Sequence, residues 1–195
     1  RIQPVFQALL MVLQSVPAVQ YLVMDGHFGN YPSAWMVLQT CLHFISKLRS
    51  DAALYEPFTG KYSGRGRRRK YGDKVDVRQM KRKFLKKDTT EDGLRTQIYQ
   101  ATLLNQEFAF PINVVVILKT NLLTQKQAHI ILFSTDLQLA YEKLVDYYSL
   151  RFQIEFNFRD AKQYWGGELV KRCRMFRGDT IRSHPRVDRI ARHIG

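Results

Sequence analysis

Residues 147–166 read YYSLRFQIEFNFRDAKQYWG. Within them Tyr148, Arg151, Glu155 and Lys162 stand as Y-x2-R-x3-E-x6-K. A helix turns about 100° per residue, so with Tyr148 at zero the other three fall at roughly −60°, −20° and −40°. One narrow stripe therefore carries a phenol, a guanidinium, a carboxylate and an ammonium. An ordinary surface helix also pairs Arg and Glu four residues apart. That simpler reading accounts for Arg151 and Glu155 but not for the whole ordered set. One carboxylate between two cations suits a metal ion held beside phosphate. The carboxylate binds a hard cation, and Arg and Lys neutralise phosphate, Arg with two parallel hydrogen bonds.

The pattern resembles the Y-R-E-K signature of bacterial DDE transposases of the insertion-sequence-4 type. Residues 150–162, LRFQIEFNFRDAK, are similar to that family's R-W-x-I-E-x-x-F-x-x-x-K helix. The resemblance implies that Glu155 is the third catalytic carboxylate and that Tyr148, Arg151 and Lys162 contact the transposon end.

A second landmark is QYLVMDGHFGN at residues 20–30. Its apolar run, residues 21–24, reads as a short buried strand. Asp25 then sits at the strand end, with Gly26 opening a tight turn. An acid in such a place is also common for turn reasons alone. The run resembles the stretch around the family's second catalytic Asp, and a helix-like segment, residues 32–41, and a strand-like one, residues 43–49, follow in the family's order. Asp25 and Glu155 are 155 − 25 = 130 residues apart, about the span of the family's β-rich insertion. Asp136 is the competing acid, 155 − 136 = 19 residues before Glu155. By resemblance, residues 130–139 close the insertion, and Asp136 there caps a helix starting near Leu139. His27, near Asp25, reads as a surface residue or a supporting one.

The resemblance implies an α/β, ribonuclease H-like catalytic core with a β-rich insertion between the second Asp and the Glu helix. The expected division is core at 1–50, insertion at 51–136, Glu helix at 137–166 and a basic tail of doubtful match at 167–195. The insertion contains loosely alternating residues 94–108, the apolar run at 112–120 and another at 129–133, with a turn at 107–111. Residues 1–19 hold no acid and read as an apolar-faced helix after Pro4, with Val5, Phe6, Leu9, Leu10, Val12 and Leu13 on its face. The first catalytic Asp and its strands are thus expected to be missing, leaving an incomplete copy that does not cut DNA. Residues 168–195 carry eight basic residues against three acidic. They read as foreign sequence or as a divergent basic helix.

Charge points to a polyanion. The chain of 195 residues has a formal net charge of +14 and a pI near 10.0. Residues 61–87 hold thirteen Lys or Arg against Asp73 and Asp76. The Gly-broken stretch GKYSGRGRRRKYG at 60–72 brings Arg65, Arg67, Arg68, Arg69 and Lys70 together with Tyr. Such a loop can present cations and ring faces to phosphates and unstacked bases; a solvated loop is the bland alternative. Cys41 and Cys173 lack zinc spacing and read as a reduced pair. No apolar run is long enough for a membrane span. The resemblance implies Mg2+ or Mn2+ as cofactor, double-stranded DNA (transposon ends and target) as partner, a homodimer in the synaptic complex, and a nucleoid-associated place in the bacterial cytoplasm. A non-catalytic DNA-binding remnant is the alternative function.

Overall fold

The computed structural model describes residues 4, 7, 8, 10–12, 19–61, 64 and 66–165, with side chains as far as Gln153. Arg65 and the tail after Trp165 lie outside the described residues, as do the side chains of Glu155, Phe156, Phe158 and Lys162.

The elements are β1 (Tyr21–Val23), α1 (Tyr31–Leu38), β2 (His43–Leu48), β3 (Leu54–Pro57), β4 (Tyr71–Val75), β5 (Leu85–Glu91), β6 (Leu94–Asn105), β7 (Ile112–Asn121), β8 (Gln127–Ser134) and α2 (Tyr141–Trp165). They form a mixed α/β fold around a central sheet of order β1-β2-β8-β7-β6-β3-β4, with β5 also on β6. β1 and β2 run parallel, in register Val23↔Ile45, because α1 crosses between them. The other pairings are antiparallel. At twelve residues, β6 is long enough to pair with β5 along its first half and with β3 at its end.

β7 explains the apolar run NVVVILK. It lies between β6 and β8, and both its faces are covered. Val114, Val116 and Leu118 point into one buried cluster with Phe44, Ile131, Phe133, Ala34 and Val37 of α1. Val115 and Ile117 point into the other, with Ile45, Leu132, and Leu144, Val145, Tyr148 and Phe152 of α2. The result is three layers: α1, sheet, α2.

The strands expected as an insertion are continuous with the core, since β8 pairs directly with β2. Three strands escaped the sequence reading. β3 and β4 are short, and β5, LKKDTTE, exposes most of its residues, so neither face shows an apolar period. The β5–β6 hairpin turns at Asp92 and Gly93, with φ of 49° and 73°, the left-handed geometry that a two-residue Asp-Gly loop provides. In the N-terminal segment, Pro4, Gln7, Ala8 and residues 10–12 are helical. Leu10 is buried but Val12, expected on the same apolar face, is 63% exposed. Residues two apart on a helix differ by about 200°, so they cannot both face one core.

Candidate functional site

Asp25 lies just past the end of β1. Met24 N donates to Ile45 O at 3.0 Å, keeping the chain on β2 to the last residue before it. Ser46 Oγ donates to Asp25 O at 2.9 Å, and the Asp25 carboxylate caps the 3₁₀ turn Gly26–Phe28 by accepting from Gly26 N at 2.7 Å. The turn is pressed against β2 at Gly29: a Cβ there would come to 2.2 Å of Lys47 O, so only glycine fits. The carboxylate itself remains 58% exposed.

α2 reaches this strand end from the other side of the sequence. Leu144, Val145, Tyr148 and Phe152, spaced for one helix face, seat it on the sheet. Arg151 then projects beside that face. Its guanidinium lies 4.5 Å from the centroid of the Phe152 ring and 5.4 Å from that of Tyr148. Its Nη1 is 3.6 Å from Asp25 Oδ1. The Arg151 side chain is 16% exposed. Aromatic faces and a carboxylate thus hold the cation in one place. Asp25 Oδ1 serves both Gly26 N and Arg151, while Oδ2 meets no donor among the described residues.

The sequence-read residues divide as follows. Asp25 and Arg151 come together. Tyr148, expected as a DNA contact, has its ring 1% exposed, packed between sheet and Arg151. Glu155 and Lys162 are on the backbone of α2, Glu155 one turn beyond Arg151, with side chains outside the described residues. Arg67, Arg68, Arg69 and Lys70 belong to the connection of the β3–β4 hairpin and are all exposed. Lys70 Nζ donates to Ala109 O at 2.8 Å, and Arg69 Nε to Tyr71 O at 2.8 Å, with its guanidinium 5.2 Å from the Phe58 ring centre. Arg67 and Arg68 form no ion pair with a described residue. Further along, Lys81 and Lys83 both converge on Glu56, so part of the basic segment is neutralised internally. The hairpin is linked to the start of α1 through Ala109 and Phe110, whose ring lies 6.2 Å from that of Tyr31.

Asp136 corrects one expectation. It follows β8, which runs antiparallel to β2, so it lies at the opposite end of the sheet from Asp25. Its Oδ2 accepts from Tyr21 Oη at 2.7 Å and its Oδ1 from Gln138 N at 2.9 Å. It therefore caps the turn before α2, not the helix itself, which begins at Tyr141 with Leu144 N bonded to Ala140 O. Burial pushes the Asp136 carboxyl up, but hydrogen bonds from the Tyr21 hydroxyl and the Gln138 amide outweigh it and hold it below the usual carboxylate range. Burial, and then Asp136, push the Tyr21 phenol up to about 12.

Two open cavities lie beside β1 and β2, and the second is lined by Asp25 itself. A groove of about 340 Å³ runs along β1 and α2, lined by Tyr21, Val23, Tyr147, Leu150 and Arg151. A cleft of about 690 Å³ lies on the β2 side, lined by Asp25, His27, Lys47, Arg49 and His129 among others. Sequence reasoning passed over Lys47; its signal was a lone charge in the otherwise uncharged run FIS-K-L of a buried strand. His27 is exposed at the cleft, as expected of a surface residue.

No described helix is long and apolar enough to cross a membrane. Among known proteins, no curated protein and no solved structure matches the chain. A family model does: that of the transposase DDE domain, over residues 4–184, which span Asp25, the whole sheet and all of α2. The chain belongs to the transposase DDE domain family.

Proposed function

We propose that this chain forms part of a transposase-type phosphoryl-transfer centre, of the kind that cuts and joins DNA at transposon ends, on an insertion-sequence-4-type, ribonuclease H-like core. The observation that carries the reading is the Arg151–Asp25 contact at 3.6 Å between residues 126 positions apart. It supports a site in which Glu155, one turn further along the same helix, joins Asp25 as a second carboxylate. Asp25 fits a hard cation: its carboxylate is exposed, fixed on a strand end, and has one oxygen open. Asp25 and Glu155 would hold Mg2+ or Mn2+, which when bound activates a nucleophilic oxygen and offsets charge on the phosphodiester.

The remaining roles belong to side chains. Arg151 sits where a phosphate oxygen beside Asp25 can accept from its guanidinium N–H groups. Tyr148 acts from beneath, as the ring platform that fixes the guanidinium, and Lys162 extends the cationic stripe along α2. Arg65, Arg67, Arg68, Arg69 and Lys70 contact the DNA backbone from the hairpin. Two such chains are expected to act as a homodimer at paired ends, in a bacterial nucleoid.

The test is metal-dependent nicking of a terminal-repeat duplex, together with binding. Nicking in Mn2+ that disappears in Glu155→Gln supports the catalytic reading. The second reading, a DNA-binding remnant, takes the same Arg151–Asp25 ion pair as a structural link in place of a metal site. It predicts duplex binding with no metal-dependent nicking. In either case neutralising Arg67, Arg68, Arg69 and Lys70 should flatten the salt dependence of binding by about 0.9 in log–log slope for each phosphate that is no longer neutralised. An unchanged slope would leave the hairpin as solvated charge.

A further inference from the structure

We infer that the cleft on the β2 side of Asp25 is a second phosphate-binding track, with Lys47 taking a DNA phosphate next to the Asp25 carboxylate. The inference rests on the DNA reading above and adds to it a residue outside the Y-R-E-K stripe and the basic hairpin.

Lys47 is the one exposed position in β2, whose pattern is otherwise buried or half-buried. In the parallel pairing Val23 faces Ile45, so two residues further on Asp25 comes level with Lys47. Neighbouring strands are about 4.8 Å apart, and residues two apart share a face. Asp25 and Lys47 thus continue the Val23 and Ile45 side of the sheet, the side that packs against α2. The Lys47 backbone is fixed. The Asp25 turn rests on it at Gly29 and at Gly26, where a Cβ would meet Lys47 O at 2.2 Å and 3.4 Å.

The head group, by contrast, is uncommitted. Lys47 makes no ion pair or side-chain hydrogen bond with a described residue. Arg49, the next cation lining the same cleft, is already engaged by Asp51, through Nε to Oδ1 at 3.0 Å and Nη2 to Oδ2 at 3.0 Å. His129 is engaged as well, its Nε2 being 3.0 Å from Ser50 O. An ammonium on a rigid strand, open to a cleft of about 690 Å³ and level with a carboxylate, suits an anion that passes close to that carboxylate. A phosphodiester carries the single negative charge such a site can neutralise. Arg151 from α2 flanks Asp25 on one side and Lys47 from β2 on the other, so a strand crossing the end of β1 meets a cation before and after Asp25.

The experiment compares Lys47→Met, Lys47→Arg and Lys126→Met in the full chain. Lys126 is an exposed lysine in the β7–β8 turn and serves as a control for net charge. Binding of a fluorescent duplex with a single-stranded 3′ tail is measured across a salt series, after circular dichroism shows each variant folded. Lys47→Met is expected to lower the log–log salt slope by about 0.7–0.9 and to weaken binding several-fold. Lys47→Arg should restore both, and Lys126→Met should change neither. Wild-type binding with Lys47→Met indistinguishable from Lys126→Met overturns this inference alone. A wild-type chain that ignores the duplex overturns the DNA reading with it.

Discussion

The two ends of β1 each present an aspartate, and the two are built for opposite purposes. At the Tyr21 end, both oxygens of Asp136 are occupied, one by the Tyr21 hydroxyl and one by the Gln138 amide. Behind it lies a closed amide network. Asn113 Nδ2 donates to Asp136 O at 3.0 Å and to Leu139 O at 2.8 Å, and Gln100 Nε2 donates to Asn113 Oδ1 at 3.0 Å and to Leu139 O at 2.8 Å. At the Asp25 end, about 13 Å of strand away, the carboxylate is 58% exposed and one oxygen meets no described donor. A carboxylate with both oxygens bonded inside the protein holds a structure together. One held rigidly with an oxygen to spare is available to a ligand. The sequence alone does not separate them, since both follow apolar strands and both precede turns.

The largest effect should come from the closed end. Asn113 is 1% exposed and makes all three of its side-chain bonds inside the protein. Asn113→Ala leaves the Asp136 carbonyl without a described donor, while Leu139 O and Gln100 Nε2 keep only each other. An unsatisfied buried group costs about 1–3 kcal/mol, and the lost bonds and side-chain packing add to it, so a loss of about 2 kcal/mol or more in urea unfolding is expected. Because these bonds hold the turn that launches α2, the contact between Arg151 and Asp25 should loosen as well. A variant as stable as the wild type would mean that the helix is positioned by its apolar face alone.

A smaller effect, with a pH signature, is expected at Tyr21. Tyr21→Phe removes the donor to Asp136 and should cost about 1 kcal/mol at neutral pH. The folded pKa of Tyr21 is raised to about 12, against about 10 in an unfolded chain. Its contribution is therefore complete below the unfolded value and is lost as pH rises through the folded one. Tyr21→Phe should remove that part of the alkaline loss, leaving the parts owed to Tyr99 and Tyr141, whose phenols burial also raises. Asp136 acts in the other direction. Its lowered pKa gives stability that is present above the ordinary carboxylate range and is lost as pH falls through the folded value. Asp136→Asn should flatten the acid limb of the unfolding midpoint.

What was legible in the sequence follows from what has a period. The runs of β7 and β8 were readable because continuous apolar segments must be buried, and the strand before Asp25 was readable from its apolar run too, although β1 is half-buried and not buried as expected. α2 was readable from its stripe, and its packing face, Leu144 to Phe152, obeys helical spacing. β5 was not, because a strand exposed on both sides leaves no alternation, although Asp92-Gly93 marked its turn. Nor were Gln100, Asn113 and Lys47, since a polar contact between distant residues has no repeat to detect. Asp25 drew attention through family likeness. The residues around it show only a strand end and a glycine, which many proteins share.

The smallest stability effect should fall on the residue most expected to act. In Asp25→Asn the remaining oxygen can still accept from Gly26 N, so the turn keeps its cap. The ion pair with Arg151 that this change removes spans 3.6 Å and has one partner largely in water. Such pairs contribute about 0–1 kcal/mol. The guanidinium left behind keeps its place against Tyr148 and Phe152. Asp25→Asn should therefore unfold within about 0.5 kcal/mol of the wild type. The same substitution should abolish any rise in thermal midpoint that Mn2+ gives the wild-type chain, because an amide oxygen is a poorer ligand for a hard cation than a carboxylate. Both measurements use one thermal series with and without the metal. A costly Asp25→Asn would make the acid a structural cap like Asp136, and the contrast between the two ends of β1 would fall.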